Sequence, residues 1–184
     1  MAERQPPTND ELAQLFQDHR EGLAGAVRGV LGGRADVQEV IQDAYLKALR
    51  SLRAGTEPRE PVAWVFVVVL NLAKDLRRKQ VRRQPSLPLE DVSAMELSTT
   101  TPPGRGLEHQ EALDAARTAI EELRDAEKEV FLLRVSGGLT FGAIGDALGI
   151  PTGTAKTRMR SALLRLRGHL ASYTPAYQSR RETA

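Results

Sequence analysis

Hydrophobic positions along most of the chain recur every three or four residues, which is the spacing of one face of an α-helix. The first such pattern begins at a capping box, Thr8 to Glu11, and ends at Gly32-Gly33. A second runs from Asp36 to Arg53, and a third runs from Pro61 to Arg83, after which Pro85 prevents further helix. We therefore predict three helices in the first half of the chain.

The run from Val65 to Leu70 is the one place where a buried strand competes with a helix, because β-branched residues favour sheets. No turn signal separates this run from the helical pattern that follows it, and the chain offers no partner strand. We predict a helix here. Because it is apolar on all sides, we expect it to lie at the centre of its bundle.

Residues 85–106 are rich in Pro, Ser, Thr and Gly, a composition typical of a linker. Further helices are predicted after it, from about Leu107 to Leu123, from Asp125 to Val135, from a cap at Thr140 to Gly149, and from Pro151-Thr152 to about Leu170. The expected fold is all-α, with two small helical domains joined by a flexible linker. We assign 8–84 to the first domain, 85–106 to the linker, 107–171 to the second domain and 172–184 to a tail.

The last two helices are joined by a short turn containing Gly149, as in a helix-turn-helix. From Gly153 to Arg167 the final helix carries five basic residues and no acidic residue, outside a predicted buried stripe. The stripe consists of Ala155, Met159, Ala162, Leu163, Leu166 and Leu170. Such a helix can enter a DNA major groove while its cations hold phosphates. The alternative is the solvated face of an ordinary helical hairpin.

A second basic cluster lies at the end of the third helix, where six cations between Lys74 and Arg83 accompany the single acid Asp75. Cations at a helix C-terminus are also favoured by the helix dipole, so a solvated helix end is an equally good interpretation. Two basic faces in one chain nevertheless favour a clamp that grips a duplex in two places.

The second helix carries the opposite charge, with Asp36, Glu39 and Asp43 on neighbouring turns beside Gln38 and Gln42. This stripe could face a basic protein partner without competing for phosphates. The simpler alternative is ordinary helix surface.

Overall composition excludes several classes of function. Lys plus Arg is 26 and Asp plus Glu is 24, so the net charge of +2 excludes a uniformly cationic polymer, and any nucleic-acid role needs locally segregated charge. The chain has no Cys, and its three His are scattered, so we predict no metal and no cofactor. No nucleophile–base pair or phosphate loop is present, which argues against an enzyme. The longest apolar run, Val62 to Leu70, is too short for membrane insertion, and we expect a cytoplasmic protein.

Three segments taken together resemble the two conserved domains of bacterial RNA polymerase sigma factors of the sigma-70 family, in the extracytoplasmic-function (ECF) group. They are DVQEVIQDAYLKAL (36–49), PVAWVFVVVLNLAKDLRRKQVRR (61–83) and LTFGAIGDALGIPTGTAKTRMRSALLRLRGHL (139–170). The resemblance covers about residues 10–83 and 108–170. It implies a factor that binds core RNA polymerase and directs promoter recognition and DNA melting.

The resemblance also implies a set of binding residues. Those matching the segment that binds the polymerase β′ coiled coil are Asp36, Glu39, Gln42 and Asp43. Those matching the segment that captures the melted minus-10 strand are Trp64, Asn71, Asp75, Arg77, Arg78 and Arg82. Those in the minus-35 recognition helix are Thr154, Lys156, Thr157, Arg158 and Arg160. The implied partners are core RNA polymerase, through its β′ and β subunits, promoter DNA and, as a further candidate, an anti-sigma factor.

Some positions depart from the family pattern. Val67, Val69 and Leu70 replace residues that are commonly polar or small, and Ala143 and Gly145 replace a frequent Glu and Ala. The alternative function is a stand-alone helix-turn-helix regulator, which would need no polymerase and would bind a palindromic duplex as a dimer.

Overall fold

The structure is a computed structural model, which describes residues 6–32, 36–83 and 106–172. Within these ranges the chain forms helices and no strand, so the predicted all-α fold is confirmed. The predicted linker up to residue 105 and the tail from residue 173 lie outside the described residues. The helices are α1 (Asn9–Asp18), α2 (Arg20–Leu31), α3 (Val37–Arg53), α4 (Pro61–Arg83), α5 (Gly106–Glu121), α6 (Asp125–Val135), α7 (Phe141–Leu148) and α8 (Thr152–Ser172).

The first predicted helix is in fact two helices, α1 and α2. The capping box is present, because the Thr8 backbone N–H donates to the Glu11 carboxylate at 2.7 Å and the Glu11 N–H donates to the Thr8 hydroxyl at 3.3 Å. His19 leaves helical geometry, with φ −103° and ψ 13°, and its ring packs edge-on against Phe66 at 5.9 Å. Neither Gly nor Pro marks this break in the sequence, and the prediction of one continuous helix was wrong here.

The valine run is helical and lies in the centre of the fold, as predicted. Val65, Phe66, Val69 and Leu70 are at most 1% exposed, and Val67 is half-buried against the same core. Helix α4 contacts α1, α2 and α3 of the first half and α6 and α7 of the second half. A helix with this many neighbours can bury most of its apolar side chains, as α4 does between Ala63 and Ala73.

The two halves of the chain pack against each other. A single hydrophobic cluster contains buried residues of α1 to α4 together with Val130, Leu132, Leu139 and Ile144 of the second half. Helix α2 contacts α5 and α6, while α4 contacts α6 and α7. The sequence predicted two domains and no contact between them. The apolar residues that form the contact have the same spacing as ordinary core residues of a helix, so nothing in the sequence marks them.

Two glycines of α7 differ in the space around them, and this difference makes a testable prediction. A Cβ at buried Gly145 would lie 2.8 Å from the carbonyl oxygen of Ile150, whereas at Gly142 its nearest neighbour is the Thr140 hydroxyl at 3.8 Å. We expect Gly142→Ala to raise the free energy of unfolding by about 0.5–1 kcal/mol through helix propensity. Gly145→Ala should lower it by about 1–3 kcal/mol through overpacking. Urea denaturation checks both, and equal stabilisation by the two variants would contradict the close contact.

Candidate nucleic-acid interface

Helices α7 and α8 form the predicted helix-turn-helix. The Thr140 hydroxyl accepts from the Ala143 N–H at 3.1 Å and begins α7. Gly149 ends it with φ 63° and ψ 35°, the left-handed conformation that glycine adopts without strain, and the Ile150 N–H donates to the Gly145 carbonyl at 2.9 Å. The chain therefore turns sharply, and the first turn of α8 (Thr152–Ser172) lies at the surface.

The predicted minus-35 residues divide between the exposed face of α8 and its flank. Lys156, Thr157 and Arg160 are exposed and share one face at helical spacing. Thr154 and Arg158 are half-buried on the flank. These three exposed side chains can therefore contact a DNA groove while α8 stays in its present position against the rest of the second half.

A buried carboxylate holds α8 against α6. Glu127, 6% exposed, accepts a hydrogen bond from the Ser161 hydroxyl at 2.7 Å, and its other oxygen lies 3.0 Å from the Arg165 Nε. That second contact is an ion pair without an aligned hydrogen bond. Burial raises the pKa of Glu127, but the Ser161 hydrogen bond, the Arg165 charge and a backbone hydrogen bond outweigh it, so the pKa lies below its ordinary value. Arg165, which the sequence placed on the outer face, is therefore a packing residue.

The predicted buried stripe of α8 is only partly buried. Ala155, Ala162 and Leu166 are at most 8% exposed, as predicted. Leu163 and Leu170 are 49% and 40% exposed, so their assignment to the stripe was wrong. Both lie to one side of the line of contact with α5 and α6, where no described helix covers them.

On α4 (Pro61–Arg83) the predicted minus-10 residues form one stripe along the helix. Trp64, Asn71, Asp75, Arg78 and Arg82 recur at intervals of seven, four, three and four residues. All are exposed except Trp64, which is half-buried against the core. Asp75 and Arg78 form a 3.4 Å ion pair, and the Arg82 Nε donates to the Arg78 carbonyl at 3.3 Å. The stripe thus presents a ring, an amide, a carboxylate and two guanidinium groups along the helix.

Arg77 and the neighbouring Lys74 lie instead on the side of α4 that faces α6. The Lys74 ammonium pairs with the Glu129 carboxylate at 2.6 Å, and these two side chains are 21% and 16% exposed. Beside the pair lies a groove of about 550 Å³ between α2, α4 and α6. Its lining combines apolar side chains with five cations and two acids, namely Val30, Leu70, Lys74, Arg77, Arg78, Val81, Arg82, Asp125, Lys128, Glu129 and Leu132.

Lys128 is a buried cation beneath this groove. It is 3% exposed, and its ammonium donates to the Glu121 carbonyl at 2.9 Å. Burial and the nearby positive charge of Arg77 lower the pKa of Lys128, whereas Asp125 and Glu121 raise it in part. The sequence contains no signal for this buried lysine, since it follows Glu127 in a segment typical of exposed helix surface.

The acidic stripe lies on α3 (Val37–Arg53). Glu39, Gln42 and Asp43 are exposed on one face, whereas the Asp36 carboxylate caps the helix by accepting from the backbone N–H groups of residues 38 and 39 at 2.8 and 3.3 Å. Leu46 lies between Gln42 and Asp43 on the next turn and is 48% exposed. Sequence reasoning missed Leu46, although its position three residues after Asp43 places it on the polar face. Single exposed leucines are common on protein surfaces, and this one lies beside the acidic residues of α3.

The described segments hold no group of three or more His, Asp or Glu side chains able to bind a metal ion. None of their helices is long and apolar enough to cross a membrane.

Comparison with known families decides between the candidate functions. Residues 15–83 match the family described as Sigma-70 region 2, and residues 119–168 match the family described as Sigma-70, region 4. The chain is a member of the sigma-70 family, in the ECF group. This sigma factor binds core RNA polymerase and promoter DNA and directs promoter recognition and melting. Nothing supports the stand-alone regulator. Sigma factors are non-catalytic initiation factors.

Two relatives agree with this assignment. The chain is 27% identical to the RNA polymerase sigma factor NccH of Alcaligenes xylosoxydans xylosoxydans over 172 residues, covering 92% of both proteins. It is 28% identical to the ECF RNA polymerase sigma-E factor of Escherichia coli K12 over 133 residues, 67% of this chain and 68% of that protein.

The fold is similar to that of CnrH in complex with the cytosolic domain of CnrY, with a TM-score of 0.66, 21% identity and coverage of 91% and 92% of the two chains. It is also similar to that of RpoE in complex with the anti-sigma factor NepR from Bartonella quintana, with a TM-score of 0.64, 18% identity and coverage of 86% and 96%.

Proposed function

We propose that three surfaces of this sigma factor divide the work of initiation. The observation that carries the proposal is the segregation of charge, with an acidic exposed face on α3 and basic exposed faces on α4 and α8. On α3, Glu39, Gln42, Asp43 and the exposed Leu46 bind the polymerase, and Asp36 contributes by fixing the start of the helix. An apolar centre within a charged rim suits a partner surface of opposite charge.

The stripe on α4 captures the melted minus-10 strand. Asn71 offers an amide to a base edge, Arg78 and Arg82 neutralise phosphates, and Trp64 offers one ring for stacking. Val69 and Leu70 are fully buried and take no part. Arg77 lies on the groove side and contributes to the same positive field, while Asp75 orients Arg78 through their ion pair.

Helix α8 binds the minus-35 duplex. The exposed Lys156, Thr157 and Arg160 are the first to meet the major groove, and Thr154 and Arg158 border the contact. An Arg on such a face can donate two hydrogen bonds to guanine, whereas Lys and Thr serve phosphates or either kind of base edge. The factor itself catalyses no reaction and acts in the cytoplasm, alongside the polymerase.

The groove between α2, α4 and α6 accepts an anti-sigma factor. Val81 is the exposed apolar side chain of its lining, which also carries five cations and two acids. Of these, Lys74 and Glu129 are paired with each other and Lys128 is buried, so Arg77, Arg78 and Arg82 give the groove its positive charge. An acidic amphipathic helix would complement both features. The RpoE structure similar to this chain contains an anti-sigma factor.

The proposal is tested by mixing the chain with core polymerase and a library of random promoters, then mapping start sites and unpaired thymines with permanganate. We expect selected starts and an open region at each. Arg78→Ala/Arg82→Ala should reduce thymine reactivity at least tenfold. It should also flatten the salt dependence of fork-DNA binding by about 1.4 units, since each single-strand phosphate contact contributes about 0.7.

Arg53→Ala/Arg59→Ala is the matched control, because it removes two exposed arginines from the same half of the chain. It should open promoters normally. If Arg78→Ala/Arg82→Ala opens promoters normally, the basic cluster of α4 is only a solvated helix end. If the wild-type chain selects no start sites, the proposed function as a whole is wrong.

A further inference from the structure

The groove between α2, α4 and α6 carries positive charge that the minus-10 stripe of α4 does not use. Arg77 lines this groove, half-buried on the side of α4 that faces α6. Burial and the positive charge of Arg77 lower the pKa of Lys128, which is 3% exposed in the wall of the groove. Within the described segments no carboxylate forms an ion pair with Arg77. Two neighbouring cations therefore share one side of the groove, and an anion placed beside them would stabilise both.

Two more arginines line the exposed edge of the groove. Arg78 and Arg82 are exposed and lie one helical turn apart, and the Arg82 Nε donates to the Arg78 carbonyl at 3.3 Å. A guanidinium group binds phosphate through two parallel hydrogen bonds and also stacks on aromatic rings. Three such groups along one cavity suit a ligand that combines phosphates with an aromatic base.

The remaining charged residues of the lining do not neutralise these arginines. Glu129 is paired with Lys74 at 2.6 Å, and the two side chains are 16% and 21% exposed, so this pair is closed to a ligand. Asp125 is the other acid of the lining. It raises the pKa of Lys128 in part, but burial and the charge of Arg77 outweigh it. The groove therefore keeps a positive field that attracts anions.

The size of the groove suits a small molecule. Its volume of about 550 Å³ lies within the range of roughly 300–1,000 Å³ that is usual for ligand pockets. A single inorganic phosphate would fill only a small part of it. Val81, which is 67% exposed, offers an apolar surface against which an organic group can pack. Size, charge and apolar surface together fit a nucleoside polyphosphate better than a simple anion.

We propose that the groove between α2, α4 and α6 is a binding site for a nucleoside di- or triphosphate. The phosphates lie between Arg77, Arg78 and Arg82, and Lys128 adds a buried positive charge behind them. The base lies against Val81. One consequence rests on the proposed function: the nucleotide and the acidic helix of an anti-sigma factor cannot occupy the groove together, so the nucleotide would block that partner.

Equilibrium binding to the full chain tests the site without polymerase or DNA. Titration calorimetry compares ATP, GTP, AMP and inorganic pyrophosphate at physiological salt. We expect at least one triphosphate to bind tenfold or more tightly than AMP, because its further phosphates meet the arginines. It should also bind tenfold or more tightly than pyrophosphate, because the base adds contact with the groove. Absence of binding by both triphosphates would overturn the proposal, and so would equal affinity for pyrophosphate.

Variants of Arg77 separate this site from general attraction of anions to a basic surface. Arg77→Ala should weaken triphosphate binding at least tenfold. Arg77→Lys should recover only part of the loss, because lysine keeps the charge without the planar fork of N–H groups. Arg53→Ala removes an exposed arginine from the same half and should bind as the wild type does. Wild-type affinity of Arg77→Ala, or equal weakening by Arg53→Ala, would contradict the site.

Removing the unpaired acid of the lining should have the opposite effect. Asp125→Asn takes away a negative charge with little change in size, and we expect it to tighten triphosphate binding at least threefold. A merely structural role of Asp125 would not produce tighter binding. Asp146→Asn, the same change at an exposed position of α7, should leave the affinity unchanged. Unchanged or weaker binding by Asp125→Asn would count against the groove as the site.

Failure of this inference can be told apart from failure of the proposed function. A chain that binds a triphosphate but selects no promoter would contradict the proposed function and leave the nucleotide site standing. A chain that selects promoters but binds neither triphosphate would contradict the nucleotide site alone.

Discussion

Replacing Arg165 with alanine is expected to lower the free energy of unfolding by about 2–4 kcal/mol, because it leaves the buried Glu127 carboxylate without its charged partner. The loss should stay below the ~5 kcal/mol reached by fully buried pairs, since the Arg165 side chain is itself 39% exposed. Urea denaturation of the full chain measures the effect. Arg167→Ala removes an exposed arginine from the same helix and should change stability by less than about 0.5 kcal/mol.

The same pair should give the chain a pH-dependent stability. The pKa of Glu127 is lower in the folded chain than its ordinary value of 4.5, so the folded state binds fewer protons than the unfolded state in this range. This contribution is present above pH 4.5 and is lost as the pH falls through the folded pKa. Arg165→Ala should reduce that dependence. If Arg165→Ala weakened DNA binding while stability stayed at the wild-type level, Arg165 would be a phosphate contact instead.

Reversing the charge of the α3 surface is expected to weaken polymerase binding tenfold or more. Asp43→Lys places a cation where a basic partner surface is proposed, and Leu46→Ala removes the exposed apolar side chain beside it. Each should lower affinity for core enzyme, and the double variant should lower it further. Titration of labelled protein with core polymerase measures the effect, while far-UV circular dichroism confirms that the helices remain formed.

The matched control is Glu57→Lys, which makes the same charge change at an exposed position of the same half. It should bind core polymerase with wild-type affinity. Undiminished binding by Asp43→Lys would remove this face of α3 from the polymerase interface, and equal weakening by Glu57→Lys would show that net charge matters more than position.

Sequence alone determined the family and most of the helices, although not the break between α1 and α2 at His19. Periodicity and caps gave the bounds of α4 at Pro61 and Arg83, and they placed the start of α7 at Thr140, because these features depend on local backbone chemistry. The order of the motifs, and not any one of them, identified a sigma factor. The polar faces that carry Glu39, Asp43, Lys156 and Arg160 were also readable, since a residue opposite an apolar stripe is usually exposed.

Tertiary structure alone decided which charged residues are free to bind. Arg165 and Arg160 look alike in the sequence, yet only Arg165 meets a buried carboxylate, and that carboxylate comes from a helix 38 residues away. Lys74 belongs to the basic cluster in the sequence, but in the structure it pairs with Glu129, 55 residues further along. The break at His19, whose ring packs on Phe66, and the close approach of Gly29 to Leu132 depend in the same way on partners from other helices. Local periodicity shows which face of a single helix is apolar, whereas these roles depend on which other helices that helix contacts.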